Sequence, residues 1–270
     1  MKTPISYYGG KQTMLKYILP LIPEHTIYTE AFVGGAAVFF AKEPVKCEVI
    51  NDTNSILITF YRVLKSNYPE LKKLIDDTLH YRESHTFATN IIQLPHYYTP
   101  VQQAWAVWVL SKMSFSSKFN GSFGYDFSGT MPLKINNAKM NFRQELCQRL
   151  EYATIENRDA LKVISTYDKD NAFHFIDPPY IGTNCGHYKN TFNELNMENL
   201  LQLLEKIKGK FMLTTFPLPI VEEYAAKNSW ITHKIERTIC AAKTARRKQE
   251  EWIVCNYEKP AANTNKIDTQ

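Results

Sequence analysis

The sequence predicts an α/β fold with a mostly parallel sheet, interrupted by an insertion. Residues 1–60 and 146–258 alternate short apolar strands with helical runs, which is typical of a parallel sheet. Residues 61–145, between them, contain no strong strand pattern and are rich in aromatic side chains. Residues 259–270 are polar and predict a disordered tail.

Composition sets broad limits on what the chain can be. Its 270 residues, 44% of them hydrophobic, can bury a substantial core. The five cysteines are odd in number and lack zinc or redox spacing, which favours a reducing cytoplasm and no metal site. Apolar runs are far shorter than the roughly 20 residues of a membrane span. The formal charge of +5 permits a polyanionic partner without establishing one.

The first segment predicts a β-α-β unit. After a helical "QTMLKYILPLI", the β-rich "TIYTEAF" leads through a glycine turn into a helix and then the short strand "CEVIND". Parallel sheets bind ligands at the carboxyl ends of their strands, so the residues that follow these strands are candidates for a site.

The insertion and the third segment follow in the same way. "AWAVWVLSKMSF" predicts a buried helix that leads into the polar loop "SSKFNGSFGYDFSGTMP". The third segment predicts the strands "YATIEN", "AFHFID", "KFMLTTF" and "EWIVCNY", separated by the helices "RDALKVIS", "MENLLQLLEKIK" and "IVEEYAAK".

The turn "EAFVGGAAVFF", residues 30–40, is the first candidate site. Gly34 and Gly35 allow a ligand to approach the backbone at a helix start, which suits a nucleotide-like cofactor. A tight turn that binds nothing is an equal alternative. About twenty residues later, Asp52 ends the next strand, where it can accept hydrogen bonds from a ribose diol or cap a helix.

The stretch "FIDPPY" is the second candidate site. Asp177 follows a buried strand, and Pro178 and Pro179 stiffen the backbone so that the carboxylate and the Pro178 carbonyl form a fixed pair of acceptors. Such a pair suits an amino group. Tyr180 offers a face on which a base can stack. A plain structural turn is the less favoured alternative.

Six motifs follow one another over nearly the whole chain. In order, they are "PISYYGGKQTML", "YTEAFVGGAAVFF", "VINDTNSILITFYRVLK", "NGSFGY", "FIDPPY" and "RRKQEEWIVCNY". This series resembles Dam-type, class D12 DNA adenine methyltransferases, which use S-adenosylmethionine. The resemblance implies a Rossmann-like methyltransferase fold with a seven-stranded mostly parallel sheet. It also implies a catalytic domain over 1–60 and 146–258 and an inserted, mainly helical target-recognition domain over 61–145.

The same resemblance assigns roles to residues. It implies cofactor contacts for six residues and a catalytic loop of four: Tyr7, Lys11, Phe32, Gly34, Asp52 and Asp177 for the cofactor, and Asp177, Pro178, Pro179 and Tyr180 for catalysis. Without it, Lys11 would read as a solvated lysine at a helix start. The chain departs from the family's Phe-x-Gly-x-Gly loop at Ala36, which stands at the second glycine position.

DNA contacts are expected in two places. Residues 117–127 match the family's loop ahead of a β-hairpin, where Asn120 and Ser122 can reach base edges and Lys118 a phosphate. The basic run 243–249 places Arg246 and Arg247 before the last strand, as a phosphate-facing patch would. Ordinary solvated loops are the alternative at both.

The function predicted from the sequence is methyl transfer from S-adenosylmethionine to the exocyclic amine of adenine in duplex DNA, with the base flipped out. Three rivals remain open. Cytosine-amine methyltransferases usually carry Ser in place of Asp177, RNA or protein-glutamine methyltransferases generally carry Asn there, and a DNA-binding module would have lost catalysis. GATC is the default target, and no membrane or obligate protein partner is expected.

Overall fold

The computed structural model describes residues 1–181, 192–242 and 245–258, and from 238 to 248 its description is limited to the backbone. Seven strands form one sheet in the order β3-β2-β1-β4-β5-β7-β6. The strands are β1 (Ile27–Glu30), β2 (Cys47–Asn51), β3 (Ala153–Glu156), β4 (Ala172–Ile176), β5 (Lys210–Thr215), β6 (Ile231–Ala242) and β7 (Ala245–Cys255).

Six of the strands run in one direction, and β7 runs opposite to them. β1 pairs with both β2 and β4, β3 extends one side, and β5 pairs with β4 in parallel register. β7 inserts between β5 and β6 and is antiparallel to both. The predicted mostly parallel, seven-stranded sheet of a Rossmann-like methyltransferase fold is confirmed.

Eleven α-helices connect these strands within the described residues. They are α1 (Leu15–Ile18), α2 (Ala37–Ala41), α3 (Ser55–Ser66), α4 (Tyr68–Asp77), α5 (Arg82–Gln93), α6 (Pro100–Met113), α7 (Thr130–Asn141), α8 (Gln144–Leu150), α9 (Ala160–Tyr167), α10 (Glu194–Leu204) and α11 (Pro219–Lys227). No described helix has both the length and the apolar character needed to cross a membrane.

Six of the helices, α3 to α8, lie between β2 and β3. The predicted buried helix is α6. It begins with a capping box between Thr99 and Gln102, and its Trp108 is fully buried. Trp108 belongs to the same apolar cluster as Tyr28 of β1 and Phe39 of α2. The insertion therefore shares a continuous core with one face of the sheet, while α10 and α11 pack on a second cluster against β4 and β5.

The β-hairpin expected after the loop 117–127 is a helix instead. Among the described residues of this stretch, β pairing is limited to an isolated bridge between Ser114 and Phe123. α7 follows, and its start is stabilised because Asp126 accepts a hydrogen bond from the Thr130 amide at 3.2 Å. The segment has few β-branched residues, which disfavours strand pairing here.

The last strand is longer than the sequence predicted. "EWIVCNY" was expected to begin it after a basic loop, but β7 begins at Ala245 because it pairs along its length with β6, a strand that the sequence did not predict. Most of the basic run 243–249 is therefore strand. Residues 243–244 and the expected disordered tail, 259–270, lie outside the described residues.

Candidate active site

A cavity of about 230 Å³ lies at the carboxyl ends of β1 and β4. All of the residues predicted for the cofactor and for catalysis line it: Tyr7, Lys11, Phe32, Gly34, Asp52, Asp177, Pro178, Pro179 and Tyr180. The two stretches that the sequence singled out separately, 30–40 and 177–180, therefore meet at one site. This is the edge at which a parallel sheet binds its ligands.

The glycine turn after β1 is fixed by contacts with Tyr7, Tyr61 and Asp52. Gly34 has a φ of +44°, and a Cβ there would lie 3.1 Å from the Tyr7 ring. The Tyr61 hydroxyl on α3 donates to the Gly34 carbonyl at 2.7 Å, and the Gly34 amide donates to Asp52 at 3.1 Å. The close Tyr7 ring and the positive φ both favour glycine at this position, and the hydrogen bonds fix the turn in place.

Ala36 occupies a backbone conformation that glycine adopts at no steric cost. Its φ of 56° and ψ of 36° are left-handed, and it stands directly before α2. An alanine in this region carries a strain of about 1–2 kcal/mol. The conformation accounts for the glycine that the resembling family usually has at this position.

Asp52 lies at the carboxyl end of β2 and is buried. Its carboxylate accepts hydrogen bonds from the amides of Gly34 at 3.1 Å and Asn54 at 2.9 Å. The N-cap of α3 is Asn54, whose side chain accepts from the Leu57 amide. Asp52 therefore does not cap that helix, and its carboxylate joins the glycine turn to the cavity wall.

A second, smaller cavity of about 140 Å³ adjoins the first. Phe32, Asp52 and Pro179 line both cavities. Asp159 and Asn196 line the smaller one, and Asp159 also caps α9 by accepting from the Lys162 amide. An elongated ligand could therefore extend from one cavity into the other past Asp52.

Asp177 follows β4 and is held by two donors on the same oxygen. Lys11 Nζ lies 2.7 Å from Oδ1, and the Thr214 hydroxyl at the end of β5 donates to Oδ1 at 2.8 Å. Burial raises the pKa of Asp177, while Lys11 and Thr214 oppose that rise. The carboxylate is thus held at the cavity edge through Oδ1.

Lys11 is buried rather than solvated. Its ammonium group contacts Asp177, donates to the Gly9 carbonyl at 2.9 Å and lies 4.7 Å from the centre of the Tyr180 ring. From the residues alone, Lys11 is interpreted as a solvated lysine at a helix start. These contacts show that this interpretation is wrong. Their cause is the tight turn at Gly9 and Gly10, which brings Lys11 to the carboxyl end of β4 and to Glu251 within β7.

Tyr180 is held at both ends of its ring. Its hydroxyl donates to Glu251 Oε1 on β7 at 2.6 Å, and its ring packs edge-on against Phe216, with 4.4 Å between the ring centres. Glu251 also pairs with Arg237 of β6 at 2.6 Å. Phe216, Arg237 and Glu251 all line the cavity.

Glu30, the last residue of β1, is a buried acid in the wall of the same cavity. Its Oε2 accepts hydrogen bonds from the Tyr28 hydroxyl at 2.8 Å and from the Phe39 amide at 2.9 Å. Burial raises the pKa of Glu30 to about 8 in spite of these bonds. Glu30 is therefore mostly protonated and uncharged at neutral pH.

The predicted DNA-reading loop lies beside this cavity. Phe119 is buried and packs edge-on against Tyr7, with 5.6 Å between the ring centres, and Lys118 Nζ lies 4.5 Å from the centre of the Tyr8 ring. Asn120 and Ser122 are exposed. The loop is therefore anchored to the N-terminal turn while its polar side chains face outward.

Arg246 and Arg247 lie in β7, opposite Cys240 and Ile239 of β6. Their side chains lie outside the described residues, so the structure places only their backbone. That backbone belongs to the same strand as Glu251, five and four residues earlier in the chain.

The cavity residues that were not singled out from the sequence include Glu30, Phe216, Arg237 and Glu251. Glu30 and Phe216 follow a general rule, since each ends or follows a strand at the ligand-binding edge. Arg237 and Glu251 gave no such signal. They reach the site only because β7 inserts antiparallel between β5 and β6, an arrangement that local sequence does not specify.

The fold and the cavity at the strand ends define an α/β enzyme of the methyltransferase type. The sequence profile of the D12 class N6 adenine-specific DNA methyltransferases matches residues 7–239. The chain belongs to this family. It is an S-adenosylmethionine-dependent DNA methyltransferase specific for adenine, as the resemblance predicted.

Two curated relatives agree with this membership. The chain is 29% identical over 282 aligned residues to the type II methyltransferase M1.LlaDCHI of Lactococcus lactis subsp. cremoris, covering 92% of this chain and 93% of that protein. It is 25% identical over 221 residues to the modification methylase StsI of Streptococcus sanguinis, covering 76% of this chain but 33% of that protein.

Among solved structures, the precorrin-8w decarboxylase of Methanobacterium thermoautotrophicum aligns with 94% of this chain and 95% of its own, at 10% identity and a TM-score of 0.38. A TM-score this low does not show a shared fold. The strand order and the family membership identify the fold of this chain.

Proposed function

We propose that this enzyme flips its target adenine out of the duplex into the cavity beside Asp177–Tyr180, and that it is the modification enzyme of a type II restriction–modification system. The observation that carries the first part is the fixed Asp177 carboxylate at the cavity edge, with Pro178 and Pro179 beside it. The second part is supported by the relatives, which are named as type II and modification enzymes.

The target amine is assigned to Asp177 and Pro178. The exocyclic amine of adenine is a poor nucleophile because its lone pair is delocalised into the ring. Two hydrogen bonds, accepted by the Asp177 carboxylate and by the Pro178 carbonyl, favour a more pyramidal nitrogen whose lone pair can attack. Because Lys11 and Thr214 occupy Oδ1, we assign the amine to Oδ2.

The flipped base is assigned to the face of Tyr180. Stacking of a base on an aromatic ring contributes about 1–3 kcal/mol and offsets part of the cost of unstacking. The ring is held by Glu251 and Phe216, so it is ordered before the base arrives. A preordered ring reduces the entropy that base binding must overcome.

The residues present fit S-adenosylmethionine. Gly34 places no side chain against the Tyr7 ring in the cavity wall, and the buried Asp52 carboxylate can accept hydrogen bonds from a ribose diol. Tyr7, Lys11, Phe32, Gly34 and Asp52 would hold the cofactor, with Asp177 close by, and the adjoining smaller cavity leaves room for its elongated shape. When bound, the cofactor supplies an electrophilic methyl group.

Target recognition is assigned to the insertion, residues 61–145, and chiefly to its loop 117–127. Exposed Asn120 and Ser122 lie on a loop that touches the cavity through Phe119 and Tyr7, so a base reader and the flipped base would be close together. Lys118, Arg246 and Arg247 are assigned to phosphates. A cytoplasmic location, predicted from the cysteines, completes the proposal.

The test is to incubate the purified enzyme with labelled S-adenosylmethionine and unmethylated genomic DNA, then digest the DNA to nucleosides and separately sequence its methylated positions. We expect N6-methyladenine at one short recurring sequence, with GATC as the default. Label in N4-methylcytosine would overturn the target assignment. Cofactor and DNA binding without any methylated base would mean a binding module that has lost catalysis.

A further inference from the structure

Glu251 is a buried carboxylate that sits between three elements of the site. It lies on β7, and its side chain is 3% exposed. Oε1 accepts the Tyr180 hydroxyl at 2.6 Å, and Oε2 pairs with Arg237 Nη1 at 2.6 Å. Lys11 Nζ lies 3.5 Å from Oε1. Each oxygen thus has its own donor, one from the catalytic loop and one from β6.

The charge on Glu251 is stabilised where it stands. Burial alone would raise its pKa, but the charge of Lys11 and the bonds from Tyr180 and Arg237 together hold the pKa below its usual value. A charged carboxylate makes the stronger acceptor for a phenol hydroxyl. The bond from Tyr180 is therefore well suited to fix the orientation of the ring.

Arg237 links this carboxylate to the N-terminal segment. Its Nη2 donates to the Thr13 hydroxyl at 2.5 Å, close in the chain to Lys11. The ring of Tyr180 is then bounded by Phe216 on its edge, by Lys11 near its face and by Glu251 at its hydroxyl. Of these, Glu251 is the charged acceptor at the hydroxyl, so its bond fixes the position of that end of the ring.

We propose that Glu251 is a positioning residue for methyl transfer, which acts through the Tyr180 hydroxyl to hold the ring where the target adenine stacks. The inference rests on the proposed role of Tyr180. Glu251 touches neither the amine nor the cofactor in this assignment. Misplacing a reacting group by about 1 Å can cost on the order of 100-fold in rate, so loss of this bond should appear in the rate of methylation.

The test compares Glu251→Gln with Glu250→Gln. An amide has one acceptor oxygen, so the substituted side chain cannot accept from both Tyr180 and Arg237. Glu250 has the same chemistry on the same strand, but its carboxylate accepts from the Trp252 indole and does not line the cavity. We expect Glu251→Gln to lower the single-turnover rate at saturating cofactor by about 10- to 100-fold, with cofactor Kd within about twofold. Glu250→Gln should match the wild type.

A double-mutant cycle with Tyr180→Phe separates positioning from a general loss of structure. Phe keeps the ring but removes the hydroxyl, so it breaks the same bond from the other end and should slow methylation to a similar degree. In that background, Glu251→Gln should cost less than about threefold more. A full, independent loss would overturn the proposal, because Glu251 would then act by another route, such as Lys11.

Failure of the inference can be told from failure of the proposed function. If wild-type enzyme methylates adenine and Glu251→Gln does so at the wild-type rate, only the role of Glu251 is wrong. If the wild type methylates no adenine, the function itself is wrong. Should Glu251→Gln prove unfolded by circular dichroism, Tyr180→Phe decides alone: a wild-type rate there overturns the proposal, and a loss of about 10-fold or more supports it.

Discussion

The proposed catalytic loop, residues 177–180, and the proposed recognition loop, residues 117–127, differ in how their side chains are held. Asp177 and Tyr180 are tied to Lys11, Thr214 and Glu251 by bonds of 2.6–2.8 Å. Residues 117–127 instead carry exposed aromatic rings, with Phe127 fully exposed, while buried Phe119 packs against Tyr7 and Phe123 stacks on His80. In the proposed assignment, the groups that act on the target amine are preorganised, whereas the loop assigned to DNA leaves its aromatic rings open to a partner.

The sharpest break in this comparison is Asp177→Ala. Because we assign the Asp177 carboxylate to the target amine during chemistry, its loss should lower the single-turnover methylation rate by about 100-fold or more. Cofactor Kd should stay within about twofold, as measured by equilibrium binding. Retention of more than about a tenth of the wild-type rate would remove Asp177 from the catalytic role.

Asp52→Asn should act on the cofactor instead. The amide group of Asn cannot accept from both the Gly34 and Asn54 amides, and it lacks the charge that strengthens a bond to a ribose diol. We expect the KM for S-adenosylmethionine to rise about 10- to 100-fold with little change in kcat. Asp170→Asn, which alters an exposed carboxylate, is the matched control. An unchanged KM would leave Asp52 with a structural role alone.

Asn120→Ala tests the proposed base contact of the loop 117–127. Loss of a base contact should reduce the difference in binding free energy between a cognate and a near-cognate duplex by about 1–3 kcal/mol. Arg246→Ala with Arg247→Ala is the contrasting pair, since loss of phosphate contacts should weaken binding to all duplexes alike and reduce the slope of log affinity against log salt by about 0.9 per contact. If Asn120→Ala leaves the difference between the two duplexes unchanged, base reading lies elsewhere, and α7 is the next place to test.

Glu30→Gln tests the buried acid beside the glycine turn. The folded pKa of about 8 lies above the ordinary value of 4.5, so the folded protein holds a proton that the unfolded chain releases. Its contribution to stability is therefore present at low pH and is lost as pH rises towards about 8. Gln mimics the protonated acid, so the stability of the variant relative to the wild type should rise across that range in thermal unfolding without cofactor. If the difference in stability between variant and wild type stayed constant across this pH range, the raised pKa of Glu30 would be contradicted.

Ala36→Gly should give the smallest effect, a gain. Relief of about 1–2 kcal/mol of left-handed strain exceeds the roughly 0.5–1 kcal/mol entropic cost of glycine, which leaves about 0.5–1 kcal/mol of added stability. Ala37→Gly, one residue on and inside α2, should destabilise by about 0.5–1 kcal/mol. Thermal unfolding of the pair measures both, and a loss at Ala36→Gly would contradict the strain.

Much of the fold and part of the site could be predicted because the signals are local. Strand ends with turn residues identified Asp52 and Asp177, and alternation identified five parallel strands. What failed depends on distant pairing. β6, the early start of β7 and the cavity positions of Arg237 and Glu251 come from an antiparallel insertion into the sheet. α7 stands where the family resemblance led us to expect a hairpin, in a segment with few β-branched residues.

The central claim is that chemistry and base reading reside in separate regions of this chain. The most direct measurement is the single-turnover methylation rate of wild type, Asp177→Asn and Asn120→Ala on one cognate and one near-cognate duplex. We expect Asp177→Asn to slow both duplexes by the same factor and Asn120→Ala to change their ratio. A changed ratio in Asp177→Asn, together with an unchanged one in Asn120→Ala, would contradict the account.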